Sequence, residues 1–226
     1  MKVKTSQVAQ EARHPAKFSD VILDEIEMML KKREFEGRIL DPFAGTGKIH
    51  RLSSLEGVET VGLEIEPEWA EMHPGTVVGD ALCPPFEPRS FEAIVTSPVY
   101  GSRMSDHHNA RDNSARNTYK HCLGRDLHPN NSGQLHFGEQ YKEFHLKAWG
   151  ALLPLIDVGG IFILNVSNFI KKGEEVDVVG WHRAAVSGLV GSLPLEVRTV
   201  VTPRYRRGSN SSLRVPSEVV LLWDLS

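Results

Sequence analysis

An apolar pair, Ile39-Leu40, runs straight into Asp41-Pro42-Phe43-Ala44-Gly45-Thr46-Gly47, and no other stretch restricts the fold of this chain so tightly. A carboxylate, two glycines and a hydroxyl crowd a single turn at the carboxyl end of a strand. In an open α/β sheet that turn lines the crevice where ligands sit. Glycine lets the backbone approach a ligand closely and adopt positive φ. About nineteen residues on, Val61-Gly62-Leu63-Glu64 reads as a second strand ending in an acid. At that spacing a carboxylate can take the ribose hydroxyls of a nucleoside.

Two other glycine loops are excluded. The phosphate-cradling loop G-x-x-x-x-G-K-[ST] fails because Ile49 follows Gly47-Lys48 and Pro42 stands at the first glycine. The dinucleotide fingerprint G-x-G-x-x-G fails because His50 stands at its third glycine. Asp41 also sets negative charge where a phosphate would lie, and suits a ligand with a cationic amino-acid end.

The chain has 226 residues, 40% of them apolar, enough for one domain with a full core. The reading is a single domain over 1–226, with 102–140 as a polar insertion. No apolar run approaches the ~20 residues that span a bilayer, and Met1–Gln7 lacks the apolar core of a secretory signal, so no membrane is expected. Only Cys83 and Cys122 occur, too few for a disulfide framework, which fits a reducing, cytoplasmic setting. The net charge of −3 does not favour nucleic acid unless positive charge is locally concentrated.

Ser19 reads as the N-cap of a helix to about Lys32, with Ile22, Ile26, Met29 and Leu30 on one face. Strands are expected at about 38–41, 60–64, 76–78, 92–96 and 161–166. Helical stretches follow Gly47 and cover about 66–72, 141–153 and 178–190. Such alternation argues for a parallel sheet. Two last strands, about 195–201 and 218–223, suit an antiparallel edge pair. Between them Pro203-Arg204-Tyr205-Arg206-Arg207 concentrates basic and aromatic residues. The segment 102–140 lacks apolar periodicity, and long stretches of that kind inside a domain are usually functional or disordered.

At this point the sequence resembles a family. Asp41–Gly47, Gly79-Asp80-Ala81, Thr96-Ser97-Pro98-Val99-Tyr100-Gly101 and the upstream His14-Pro15-Ala16-Lys17-Phe18 are similar, in order, to motifs of S-adenosylmethionine (SAM)-dependent amino-methyltransferases of nucleic acid. Val158–Val166 is similar to the segment after that family's catalytic loop. The resemblance implies a Rossmann-like class I SAM methyltransferase fold, a doubly wound, mostly parallel sheet with an antiparallel final hairpin. It also implies SAM as cofactor. Lys17, Phe18, Asp41, Pro42, Phe43, Ala44, Gly45, Thr46 and Gly47 would hold its methionine end, with Ser97 nearby. Glu64 and Ile65 would take the ribose, Asp80 and Ala81 the adenine.

The catalytic residues implied are Ser97, Pro98 and Tyr100. An exocyclic base amine is a poor nucleophile because its lone pair is delocalised into the ring. The Ser97 hydroxyl and Pro98 carbonyl would take its two hydrogens and draw the nitrogen toward tetrahedral geometry, while Tyr100 stacks on the flipped base. Val99 departs from the family's second proline and removes a φ restriction from the loop. Serine at position 97 points within the family to cytosine N4 of DNA, and the compact chain resembles phage or restriction-modification enzymes. Adenine N6, an RNA base amine, or a non-catalytic SAM-binding scaffold are the alternatives.

Candidate phosphate contacts are Arg103, Arg111, Arg116, Lys120 and Arg125, together with Arg204, Tyr205, Arg206 and Arg207. Half of the ten histidines fall between His107 and His136. Without a C-x-x-C pair or ordered ligand spacing, no metal is expected.

Overall fold

The computed structural model describes residues 18–100, 118–202 and 215–225. Helix α1 spans Asp20–Lys32, and the Ser19 hydroxyl accepts from the Ile22 amide as its N-cap. Its buried face, Ile22, Leu23, Ile26, Met29 and Leu30, recurs at helical spacing, and Lys31 and Lys32 close the last turn, where cations complement the dipole.

Among the described residues nine strands follow in chain order: β1 Gly37–Asp41, β2 Val58–Glu64, β3 Thr76–Val78, β4 Phe91–Thr96, β5 Ile156–Val166, β6 Phe169–Lys171, β7 Glu174–Val176, β8 Glu196–Val201 and β9 Ser217–Asp224. Seven form one sheet in the order β3-β2-β1-β4-β5-β9-β8. The first five are mutually parallel, and β9 runs antiparallel to both β5 and β8. This is the mostly parallel sheet with an antiparallel last hairpin that the sequence predicts. The unpredicted strands β6 and β7 pair as a separate two-stranded ribbon.

The remaining helices are α2 Pro67–Ala70, α3 Tyr119–Leu123, α4 Glu139–Leu152 and α5 Val178–Val190. The segment after Gly47 forms a 3-10 helix over Lys48–Ser54 rather than an α-helix. Among the described residues, no helix is long and apolar enough to cross a membrane.

Apolar layers cover both faces of the sheet. One gathers α1 residues with Ile39, Val95, Ile163 and Leu222. The other gathers Trp149 and Leu152 of α4 and Val186 of α5 with Leu40, Ile94, Phe162, Leu164 and Trp223. Sandwiched between layers, Ile161–Val166 is buried at every position, hence its unbroken apolar run. Strand order reverses between β1 and β4, so their carboxyl ends open the crevice that holds ligands in doubly wound sheets.

Leu164 sits fully buried on β5 between Thr96 of β4 and Leu221 of β9. Leu164→Ala should cost about 2–5 kcal/mol of stability, as core truncations do. Urea unfolding checks this, and a loss under about 1 kcal/mol would contradict the packing described.

Candidate functional site

Asp41 closes β1 and Thr96 closes β4, and they meet at the reversal of strand order. One oxygen of the buried Asp41 carboxylate, Oδ1, accepts from the Phe43 amide at 3.1 Å and the Thr96 hydroxyl at 2.7 Å. The other, Oδ2, is buried and finds no hydrogen-bond partner among the described residues. Burial raises this carboxyl to about 7, although the Thr96 and Phe43 bonds favour the charged form. A buried acceptor in this state calls for a partner beyond the described residues.

The turn after β1 takes its shape from glycine. Gly45 has φ 54° and Gly47 has φ 79°, both in the left-handed region that side chains disfavour. A Cβ on Gly47 would also lie 2.8 Å from His50 and from His73, whose rings stack at 3.6 Å beside the turn. His50 bonds Thr60 and Thr76, each at 2.9 Å.

Glu64, at the end of β2, is tied to this turn. Its Oε2 accepts from the Gly45 amide at 2.8 Å and its Oε1 from the Glu66 amide at 2.9 Å. Burial raises its carboxyl to about 7, against those two bonds and reinforced by the charges of Glu66 and Asp41. Each oxygen retains a lone pair that can accept from a hydroxyl.

The described end of the polar insertion packs over this edge of the crevice. Fully buried Glu66 accepts from the His128 amide at 2.8 Å and the Asn131 side chain at 2.7 Å. Arg125 Nη2 lies 2.7 Å from Glu66 Oε2, close enough for an ion pair although Oε2 has no hydrogen bond of good geometry. Asn130 donates to Asp80 Oδ2 at 2.6 Å, while Asp80 Oδ1 caps the Leu82 amide at 2.9 Å. Ile65 is half-buried and Ala81 buried. The acid proposed to meet adenine is therefore already held by an amide from the insertion.

On the other side of the crevice, Asn165 of β5 donates to Ser97 Oγ at 3.1 Å and to Glu218 Oε2 at 2.7 Å. Tyr100 Oη donates to the same Glu218 oxygen at 2.9 Å. Register explains the meeting: Asn165 faces Val220 on β9, and Glu218 lies two residues along on the same face. The Oδ1 of Asn165 is buried with no hydrogen-bond partner among the described residues. The Val99 carbonyl accepts from Tyr141 Oη at 2.9 Å. Its side chain packs with Trp69, Tyr119 and Leu127.

The structure thus brings together Asp41, Gly45, Gly47, Glu64, Ser97 and Tyr100, with Asp80 at the rim. Pro42, Ala44 and Pro98 are buried, and Phe43 and Thr46 half-buried. Phe43 packs edge-on against Trp149 at 5.9 Å. Phe18 belongs to the apolar layer that also holds Ile22, Ile49 and Leu52. Lys120 pairs with Asp126 at 2.5 Å, and Arg125 with Glu66 and Glu68, so both already have acidic partners. Lys17, Arg103, Arg111, Arg116, Arg204, Tyr205, Arg206 and Arg207 lie outside the described residues. The sequence reading missed Glu66, Asn130, Tyr141, Asn165, His182 and Glu218. Only Asn165 carried a signal, as a polar residue near the end of an apolar strand.

No protein-family model matches the sequence. A 94-residue stretch is 32% identical to the tRNA (guanine(10)-N(2))-methyltransferase of Dictyostelium discoideum. The match covers 33% of this chain and 18% of that protein's length. Among solved structures, a candidate sarcosine dimethylglycine methyltransferase from Galdieria sulphuraria is similar at TM-score 0.53 and 13% identity, covering 94% of this chain and 93% of that one. A geranyl diphosphate methyltransferase is similar at 0.53 and 12%, with 90% and 77% covered. The cyclase SpnF is similar at 0.53 and 11%, with 95% and 84% covered. Likeness to a cyclase as well as to methyltransferases shows that this fold does not dictate its chemistry. The chain has the class I SAM methyltransferase fold.

The raised Asp41 carboxyl gives a signed expectation. A carboxyl held near 7 in the fold but near 3.9 when unfolded stabilises the fold fully below about pH 4, and that contribution is lost as pH rises to about 7. Asp41→Asn should therefore melt higher than wild type at pH 8, with the advantage shrinking through pH 6 and gone near pH 4. Thermal melts across this range check it, and a constant or reversed difference would contradict the assignment.

Proposed function

We propose that this chain is a SAM-dependent methyltransferase that alkylates an exocyclic amine of an RNA base. The observation that carries the reading is the convergence, at neighbouring strand ends, of the Asp41 and Glu64 carboxylates with the Ser97–Tyr100 loop. The partial likeness to a tRNA guanine-N2 methyltransferase favours RNA over DNA and makes guanine N2 the first amine to test.

The residues present fit the cofactor. The Asp41 oxygen that has no partner among the described residues suits its cationic amino-acid end, and the positive-φ glycines give the turn the shape that lets backbone approach a ligand closely. Glu64 would take the ribose hydroxyls, with Ile65, Asp80 and Ala81 toward the adenine. When bound, SAM supplies a methyl group on a sulfonium, which leaves as an uncharged thioether.

The chain's part is orientation. Ser97 Oγ accepts one bond from Asn165 and keeps a lone pair for an amine hydrogen. The Pro98 carbonyl takes the other. Tyr100, anchored through its hydroxyl to Glu218, offers a ring for base stacking, worth about 1–3 kcal/mol. Fixing the nitrogen in line with the methyl carbon supplies much of the rate. As the N–C bond forms, the nitrogen becomes cationic and releases a proton to water, so no strong base is required.

Incubation with labelled SAM and either tRNA or DNA, followed by nucleoside mass spectrometry, tests the reading. We expect an amine-methylated nucleoside from RNA, and a loss of at least roughly tenfold in kcat for Ser97→Ala with SAM affinity retained. N4-methylcytosine from DNA with RNA unlabelled would replace the RNA reading by the DNA one that the serine at position 97 favours. Label in neither polymer would overturn both.

A further inference from the structure

Val99 stands where the resembling motif has a second proline, yet the loop is gripped from both sides. Its side chain packs against Trp69, Tyr119 and Leu127. Its carbonyl accepts from Tyr141 Oη at 2.9 Å. Tyr141 is fully buried on α4, and its oxygen also lies 2.9 Å from His182 Nε2 on α5. His182 Nδ1 in turn lies 3.3 Å from Trp149 Nε1 on α4. His182 and Trp149 are fully buried as well.

Donor counting fixes the direction of this chain. A carbonyl only accepts, so the single Tyr141 hydroxyl proton goes to Val99. The Tyr141 oxygen must then accept from His182, which places the imidazole proton on Nε2. An indole nitrogen only donates, so Trp149 donates to the bare Nδ1 of His182. Every donor in the series is used, and each bond orders the next. Burial, first, and the neighbouring His145 hold His182 well below its usual range, which keeps the ring neutral and the series intact.

We infer that Trp149, His182 and Tyr141 form a buried positioning relay that fixes the Val99 carbonyl and holds the Ser97–Tyr100 loop in its amine-binding shape. It does by hydrogen bonding what a proline ring does by restricting φ. The inference rests on the reading of that loop as the holder of the target amine. All three side chains are fully buried, so each acts through Val99. Tilted ring contacts on Tyr141, with Phe137 at 5.2 Å and His145 at 4.0 Å, hold its ring and so the direction of its hydroxyl.

Two kinds of readout test the relay. Nitrogen NMR of histidine-labelled protein should find His182 protonated on Nε2 and bare on Nδ1, and Tyr141→Phe should move both its Nε2 resonance and the Val99 carbonyl carbon resonance. A proton on Nδ1, or a Val99 carbonyl unmoved by the substitution, overturns the relay whatever the protein's activity. In the methyl-transfer assay Tyr141→Phe should lower kcat roughly tenfold to a hundredfold, the scale of a small misplacement of reacting groups. KM for both substrates should stay within about twofold, and Val99→Pro in that background should restore most of kcat. An unchanged kcat, a loss confined to KM, or no rescue overturns the proposal. Wild-type protein that methylates nothing would instead defeat the base-amine reading, and the NMR results would then decide the relay alone.

Discussion

The buried hydrogen bond from the Gly45 amide to the Glu64 carboxylate, 2.8 Å long, joins the glycine turn after β1 to the end of β2. It fixes where the turn sits, and so where Asp41 and the crevice sit. It requires a carboxylate with little access to water, and burial raises both Glu64 and Asp41 to about 7. A protein that keeps two such acids at adjoining strand ends gives up stability at neutral pH. Charged or hydroxyl-bearing ligands would recover it by supplying further partners to these acids. Perturbed carboxyls in a crevice are characteristic of binding sites for this reason.

From that pair the site extends along the strand ends in two directions. Toward β3, Glu66 and Asp80 draw the described end of the insertion across that edge of the crevice through Asn130, Asn131 and Arg125. Toward β5 and β9, Asn165 and Glu218 hold Ser97 and Tyr100. Val99 couples the two halves, because its side chain packs with Tyr119 and Leu127 of the insertion while its carbonyl is held from α4. The covering at the β3 edge and the Ser97–Tyr100 loop thereby form one packed unit.

Much of this was legible in the sequence, because strands buried on both faces read as apolar runs and caps read as single residues. Ser19, the strand ending at Asp41 and the strand ending at Glu64 fall where the pattern sets them. Besides the β6–β7 ribbon, three features escaped. The segment after Gly47 is a 3-10 helix entered from the left-handed Gly47, not the α-helix that the pattern suggests. The described end of the insertion, from Thr118 on, looked structureless because it is held by polar tethers to Glu66 and Asp80, 50 to 65 residues away in sequence, and not by apolar periodicity. Tyr141 and His182 read as ordinary helix residues, since a buried polar chain between two helices and a loop leaves no local trace.

Titration of the protein with S-adenosylhomocysteine by calorimetry at pH 7, in two buffers of different ionisation enthalpy, tests the central claim most directly. A ligand that favours ionised Asp41 and Glu64 must displace protons held near pH 7. The account predicts one-site binding with net proton release, reduced in both Asp41→Asn and Glu64→Gln. Absence of binding by folded protein, or binding with no buffer dependence, would contradict it.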